Sequence, residues 1–168
     1  SGIGLFKGDL VNAAHGLNIL LFAFTTIGVG LTFISFSSNP ELSTPAVFLF
    51  AIFPITIKMY SSSLSEPLFL CLLVITVYCM LQYLKSASLK WLISSAVLAS
   101  LLPMARYMGI VFIPVGAASV LVFLSGSWKE RMKKVAIFVV LASLPFLIWE
   151  AWLYFAIDHS FAGRMLQL

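Results

Sequence analysis

Charge is scarce in this sequence. Ten Lys and Arg and six Asp and Glu among 168 residues leave 10% of the chain charged, against about a quarter in a soluble domain. Hydrophobic residues make up 61%, and the mean hydropathy is +1.08. So little charge excludes a water-soluble globular domain and leaves an integral membrane protein. The length holds one bundle of about five or six spans, since each needs about 20 residues plus a connection. No room remains for a soluble domain, and residues 1–168 read as a single transmembrane bundle.

Other absences narrow the chemistry. With two His and two Cys, and no CxxC or HExxH spacing, no metal site is built from the protein. Cys71 and Cys79 share one apolar run and stand about 12 Å apart along a helix, too far for a disulfide. They read as small buried hydrophobes. There is no internal repeat, low-complexity tract or long linker. No basic segment leads into a short apolar stretch with a cleavage site, so no signal peptide is read. The chain opens on Ser1-Gly-Ile-Gly without Met and reads as a processed chain or a piece of a longer one.

What is present is a series of apolar runs. Residues 10–36 form the first span, closed by Ser37-Ser-Asn-Pro40, which does not continue a helix easily. Residues 45–59 are shorter and carry Pro54, so at about 23 Å they need flanking residues or a thinned bilayer to cross. Residues 67–84 follow, with Pro67 expected at the first helical position. Ser65 or Glu66 then becomes the N-cap, at the end where the helix dipole favours negative charge.

Residues 91–124 run too long for one element. As a straight helix they would reach about 50 Å, against a hydrocarbon core of about 30 Å. A broken hairpin is therefore expected, with its break at Pro103-Met-Ala-Arg-Tyr-Met-Gly109, one limb ending near Leu102 and the other running from Tyr107 to Leu124. A last span covers 135–157, with a kink at Pro145, before a polar stretch at Asp158-His-Ser160 and Gly163-Arg164. Alternating these spans collects Lys85, Lys90, Lys129, Arg131, Lys133 and Lys134 on one side, cytoplasmic by the positive-inside rule. Lys7, Lys58, Arg106 and Arg164 fall on the other. The basic cluster suits anionic headgroups and gives nucleic-acid binding no support.

The polar breaks at 60–66 and 103–109 thus meet at one membrane face and define a candidate site of Ser65, Glu66 and Arg106. Glu66 has two readings, a helix cap or a group that holds a cation or accepts hydrogen bonds from a ligand. Arg106 also has two, an ion pair with Glu66 or a guanidinium fork for a phosphate, because Arg in a membrane segment normally pairs, snorkels or meets an anion. His15 and Asn18 lie one turn apart and suit either helix packing or ligand contact. Glu150, between Trp149 and Trp152, is an intramembrane carboxylate and so a functional candidate, paired or protonated. Asp158 and His159 suit acid–base work or an ordinary exposed loop.

The order Asn12-Ala-Ala-His-Gly-Leu-Asn-Ile-Leu-Leu-Phe22, Leu64-Ser-Glu-Pro-Leu-Phe-Leu70, Tyr83-Leu-Lys85 with Trp91, Ala105-Arg-Tyr-Met-Gly109, then Trp149 and Gly163-Arg164 resembles the middle of multispanning GT-C glycosyltransferases. The nearest likeness is to the bacterial protein O-mannosyltransferase-like group. That resemblance implies a multi-pass protein of the bacterial inner membrane that moves a sugar from a polyprenyl-phosphate donor to a protein or lipid acceptor at the outer face. It implies Arg106 and Lys58 near the donor phosphate, with Glu66 and Ser65 lining the site. A divalent cation is compatible with it, and no other cofactor is implied. The family's catalytic Asp lies in a first external loop that has no counterpart in this chain, and Asp9 is too close to the first span to stand in for it. A second reading of a different class therefore stays open, a noncatalytic membrane subunit or scaffold packed against other subunits.

Overall fold

Apolar runs broken by Pro and polar clusters fold into helices throughout a computed structural model that describes residues 3–37, 40–62 and 65–165, with side chains described over 12–37, 41–61 and 65–155. Among the described residues seven α-helices follow in order: α1 (Ile3–Phe36), α2 (Ser43–Ile52), α3 (Pro54–Ser62), α4 (Ser65–Ser86), α5 (Leu89–Ala105), α6 (Phe112–Phe123) and α7 (Trp128–Met165). Short 3-10 turns at Pro40–Leu42 and Tyr107–Val111 precede α2 and α6. No strand occurs among the described residues. The protein is an all-α polytopic bundle.

Among the described residues three helices are long and apolar enough to cross a membrane, over Asn12–Phe36, Ser65–Ser86 and Trp128–Phe155. The pair α2 and α3, bent by 57°, makes a fourth crossing if it is one span. The bend falls where Pro54 removes a backbone donor and the preceding Phe53 takes an extended conformation (φ −66°, ψ 126°), as a residue before proline prefers. The run 91–124 is two limbs, as its length requires. The break falls within 103–109 as expected, but the first limb runs past Leu102, since α5 carries Pro103 in its last turn and ends only at Ala105. Arg106 is the extended residue (φ −152°, ψ 136°) that stops it.

Four further boundaries differ from the expectation. Helix α4 starts at Ser65, so Pro67 is its third residue and neither Ser65 nor Glu66 is the residue preceding the helix. Glu66 keeps the favourable end of the dipole from within the first turn. Helix α1 begins at Ile3 and α7 at Trp128, both earlier than the apolar runs; in α7 the added turns are rich in Lys, Glu and Arg, good helix formers that extend a span into water. The helix also continues through Pro145 to Met165, so the polar stretch at 158–164 is helical backbone where a loop was expected. Its side chains lie outside the described residues, as do those of Lys7 and Asp9.

Long-range contacts fix the direction of each helix. Glu66 at the start of α4 meets Arg106 just past α5, so these two helices run antiparallel, joined by a turn in which Ala87 takes a left-handed φ of 52°. Phe123 of α6 shares a groove with Leu84 and Lys85 of α4, which means that α6 runs back toward the Lys85 end and closes the hairpin. Helix α7 returns, since its Glu150 bonds to Tyr107 beside Arg106. Gln82 donates to Ser35 (2.9 Å) and Asn18 to the Tyr60 carbonyl (2.9 Å), so α1 runs parallel to α4. Lys85, Lys90, Lys129, Arg131, Lys133 and Lys134 consequently sit at one end of the bundle, with Tyr60, Glu66, Arg106 and Glu150 toward the other.

The packing is that of a protein solvated by lipid. Ile19, Leu20, Phe24, Leu147 and Ile148 point outward, whereas Asn18, Thr25, Thr76, Ser95 and Ser100 are buried. The buried hydroxyls of Thr25, Thr76, Ser95 and Ser100 bond back to carbonyls one turn earlier, so none enters the bilayer unsatisfied. Small residues bring the helices close: Ala96 and Ala99 of α5 pack with Tyr83, Val120, Phe138 and Ala142 in the main core. Gly28 of α1 leaves only 2.8 Å between its absent Cβ and Val74 of α4. Close approach of this kind replaces the hydrophobic drive that helices lack inside lipid.

Candidate functional site

Arg106 is held at the hairpin tip by backbone on both sides. Its N–H donates to the Leu102 carbonyl (2.9 Å), and its carbonyl accepts from the Gly109 N–H (2.8 Å). With the backbone fixed, the side chain reaches across to α4. There Arg106 Nη1 lies 3.1 Å from Glu66 Oε1, with 40% of the Arg side chain and 27% of the Glu side chain exposed. The two residues that interrupt apolar runs are therefore brought together, and ion pairing is the role the structure gives them.

An exposed pair of this kind is worth only about 0.2–1 kcal/mol. Guanidinium offers five N–H donors in a planar fork, and the contact with Glu66 uses one terminal nitrogen. The pair thus carries no net charge at rest and retains donors for a second, anionic acceptor.

The next residue ties the same turn to α7. Tyr107 OH donates to Glu150 Oε1 (2.6 Å), and its ring meets Phe146 edge-on at 6.2 Å. Arg106 and Tyr107 thus clamp the hairpin tip to α4 on one side and α7 on the other. Glu150 is the paired carboxylate of the two alternatives. Sequence reasoning assigned Tyr107 no role; the signal was its position beside Arg106 together with a lone carboxylate in the last span.

A second feature of this end lies on the α1 side of α4. His15, Asn18, Phe22, Ile57, Tyr60 and Ser61 line an open cavity of about 480 Å³, so His15 and Asn18 do face one groove. Asn18 is 5% exposed and its amide is oriented by donating to the Tyr60 carbonyl, which makes helix packing its observed role. Tyr60 is buried against Leu21 and Cys71 and donates its hydroxyl to Thr25 Oγ1 (2.7 Å). Cys71 lies five residues beyond Glu66, about 7.5 Å along α4, so cavity and ion pair share one end of the bundle.

Ser65 is exposed at the first residue of α4, and Lys58 is exposed on α3 two residues before Tyr60. Among the described residues no group of three His, Cys, Asp or Glu side chains is placed to hold a metal ion. No curated protein and no solved structure is matched. The family model for dolichyl-phosphate-mannose-protein mannosyltransferases, however, matches residues 10–149, a stretch containing the hairpin, the Glu66–Arg106 pair and Tyr107. The chain belongs to the dolichyl-phosphate-mannose-protein mannosyltransferase family.

Proposed function

We propose that this membrane module belongs to a glycosyltransferase that takes a sugar from a polyprenyl-phosphate donor at the outer face of a bacterial inner membrane, with Arg106 as the donor-phosphate contact. The observation that carries the reading is the Glu66–Arg106 pair, a guanidinium held half-exposed at the end of a lipid-solvated bundle. When the sugar leaves, the bond between its anomeric carbon and the phosphate oxygen breaks and negative charge grows on that oxygen. A planar fork beside it stabilises the departing phosphate through charge-assisted hydrogen bonds. Glu66 holds the fork in place until the donor arrives, Ser65 lines the approach, and Lys58 adds positive charge at the same end. The acceptor contributes the hydroxyl that attacks the anomeric carbon, and its proton passes to a base.

Two experiments test this. Membranes carrying the full-length gene product should transfer labelled sugar from a polyprenyl-phosphate donor. Absence of transfer with every such donor would leave the ion pair as helix glue and make the noncatalytic scaffold the better account. Orientation follows from single cysteines introduced at 90, 106 and 129 with Cys71 and Cys79 replaced. An impermeant thiol reagent applied outside intact cells should modify position 106 and spare 90 and 129. Labelling of 90 and 129 from opposite sides would overturn the hairpin and the shared face with it.

A further inference from the structure

Helix α6 packs on α7 and makes few backbone approaches to α4. Gly116 is the cause on the α7 side: the Phe138 ring occupies the space where a side chain would stand, its Cε1 2.6 Å from an ideal Cβ. Drawn toward α7, α6 leaves a groove of about 450 Å³ along α4, lined by Phe36, Met80, Gly116, Ser119 and Phe138 and reaching Lys85.

The groove offers a ligand almost nothing polar. The Ser119 hydroxyl already donates to the Val115 carbonyl and that of Thr76 to Leu72. A cavity with apolar walls does not hold water, and its walls belong to membrane helices, so its natural filling is hydrocarbon. Lys85 is the exception. It lies exposed in the last turn of α4, among the described residues it has no ion-pair partner, and it shares its end with Lys90, Lys129, Arg131, Lys133 and Lys134. An apolar slot that ends in an ammonium group fits a molecule with an acyl chain and an anionic head.

We infer that this groove binds one anionic phospholipid of the leaflet at the Lys85 end, with an acyl chain between α4 and α6 and its phosphate on Lys85. The head lies at the far end of the bundle from Arg106, so the site is separate from the one proposed for the sugar donor. The chain fills the gap that α6 leaves against α4 and props the hairpin limb that carries Arg106 and Tyr107.

The test uses the purified protein in nanodiscs of phosphatidylglycerol mixed equally with phosphatidylcholine, with retained lipid read by native mass spectrometry after transfer to detergent. The expected result is one retained lipid, with phosphatidylglycerol favoured about fivefold, the effect of one basic residue near an anionic surface. Lys85→Gln should erase the preference, Lys129→Gln should leave it, and Ser119→Trp should abolish retention of both lipids at unchanged helix content. Equal retention of the two lipids by the unaltered protein overturns the inference. So does loss of preference in Lys129→Gln as complete as in Lys85→Gln, which would mean a diffuse basic surface. Displacement of the bound lipid by a polyprenyl phosphate, equally with and without Lys85, would assign the groove to the donor chain; a dimer with no lipid retained would assign it to a second copy.

Discussion

Gly109→Ala is expected to destroy the hairpin tip, with a loss of stability of about 3 kcal/mol or more, the upper range for forcing an extra methyl into packed structure. A Cβ at position 109 would stand 2.6 Å from Pro103 N and closer still to the carbonyl carbon and oxygen of Leu102. All three are backbone atoms, so no side chain can swing aside. Relief requires the 3-10 turn to move away from α5, which breaks the Gly109 N–H to Arg106 bond and releases Arg106 from Glu66. Thermal unfolding of the purified protein, followed by helix content, measures this. Gly16→Ala is the control, because nothing stands within 4 Å of its absent Cβ and alanine in a helix interior is favoured over glycine by about 0.5–1 kcal/mol. The claim fails if Gly109→Ala unfolds at the temperature of Gly16→Ala.

Arg106→Ala should reduce sugar transfer from a polyprenyl-phosphate donor by roughly tenfold to a hundredfold, the value of a charge-assisted hydrogen bond of about 1.5–3 kcal/mol. Its cost in stability should be smaller, about 1 kcal/mol or less, because the pair it breaks is half-exposed. The gap between these magnitudes separates a donor contact from a structural one when transfer is normalised to folded protein. Arg106→Lys should recover only part of the rate, since an ammonium is a point charge and not a planar fork. If Glu66→Gln costs as much activity as Arg106→Ala, and the double variant costs no more than either, the two residues act as one structural unit. The donor contact itself is removed if Arg106→Ala, normalised to folded protein, is fully active.

The sequence by itself determined the class of this protein and the course of its chain. Scarce charge left only a membrane bundle, and 34 residues from Trp91 to Leu124 were too long for one crossing, so the chain had to turn near Pro103 to Gly109. Arg106 and Glu66 were legible for a related reason: a charge in an apolar run is costly enough to need a partner, and alternating the spans left both at one face. Helix ends were less legible. Proline marks a change of direction without fixing the last helical residue, which is why Pro103 lies inside α5 and Pro67 inside α4. Only the tertiary structure decided that Tyr107 bonds Glu150 across 43 residues, that Asn18 anchors Tyr60, and that α6 leans on α7 and opens a groove beside α4. In water the polar and apolar faces of a helix announce which side is buried. In lipid both faces are apolar, so the residues that line a groove, such as Leu84, Val115 and Phe123, look the same in sequence as those that touch the bilayer, and only side-chain packing tells them apart.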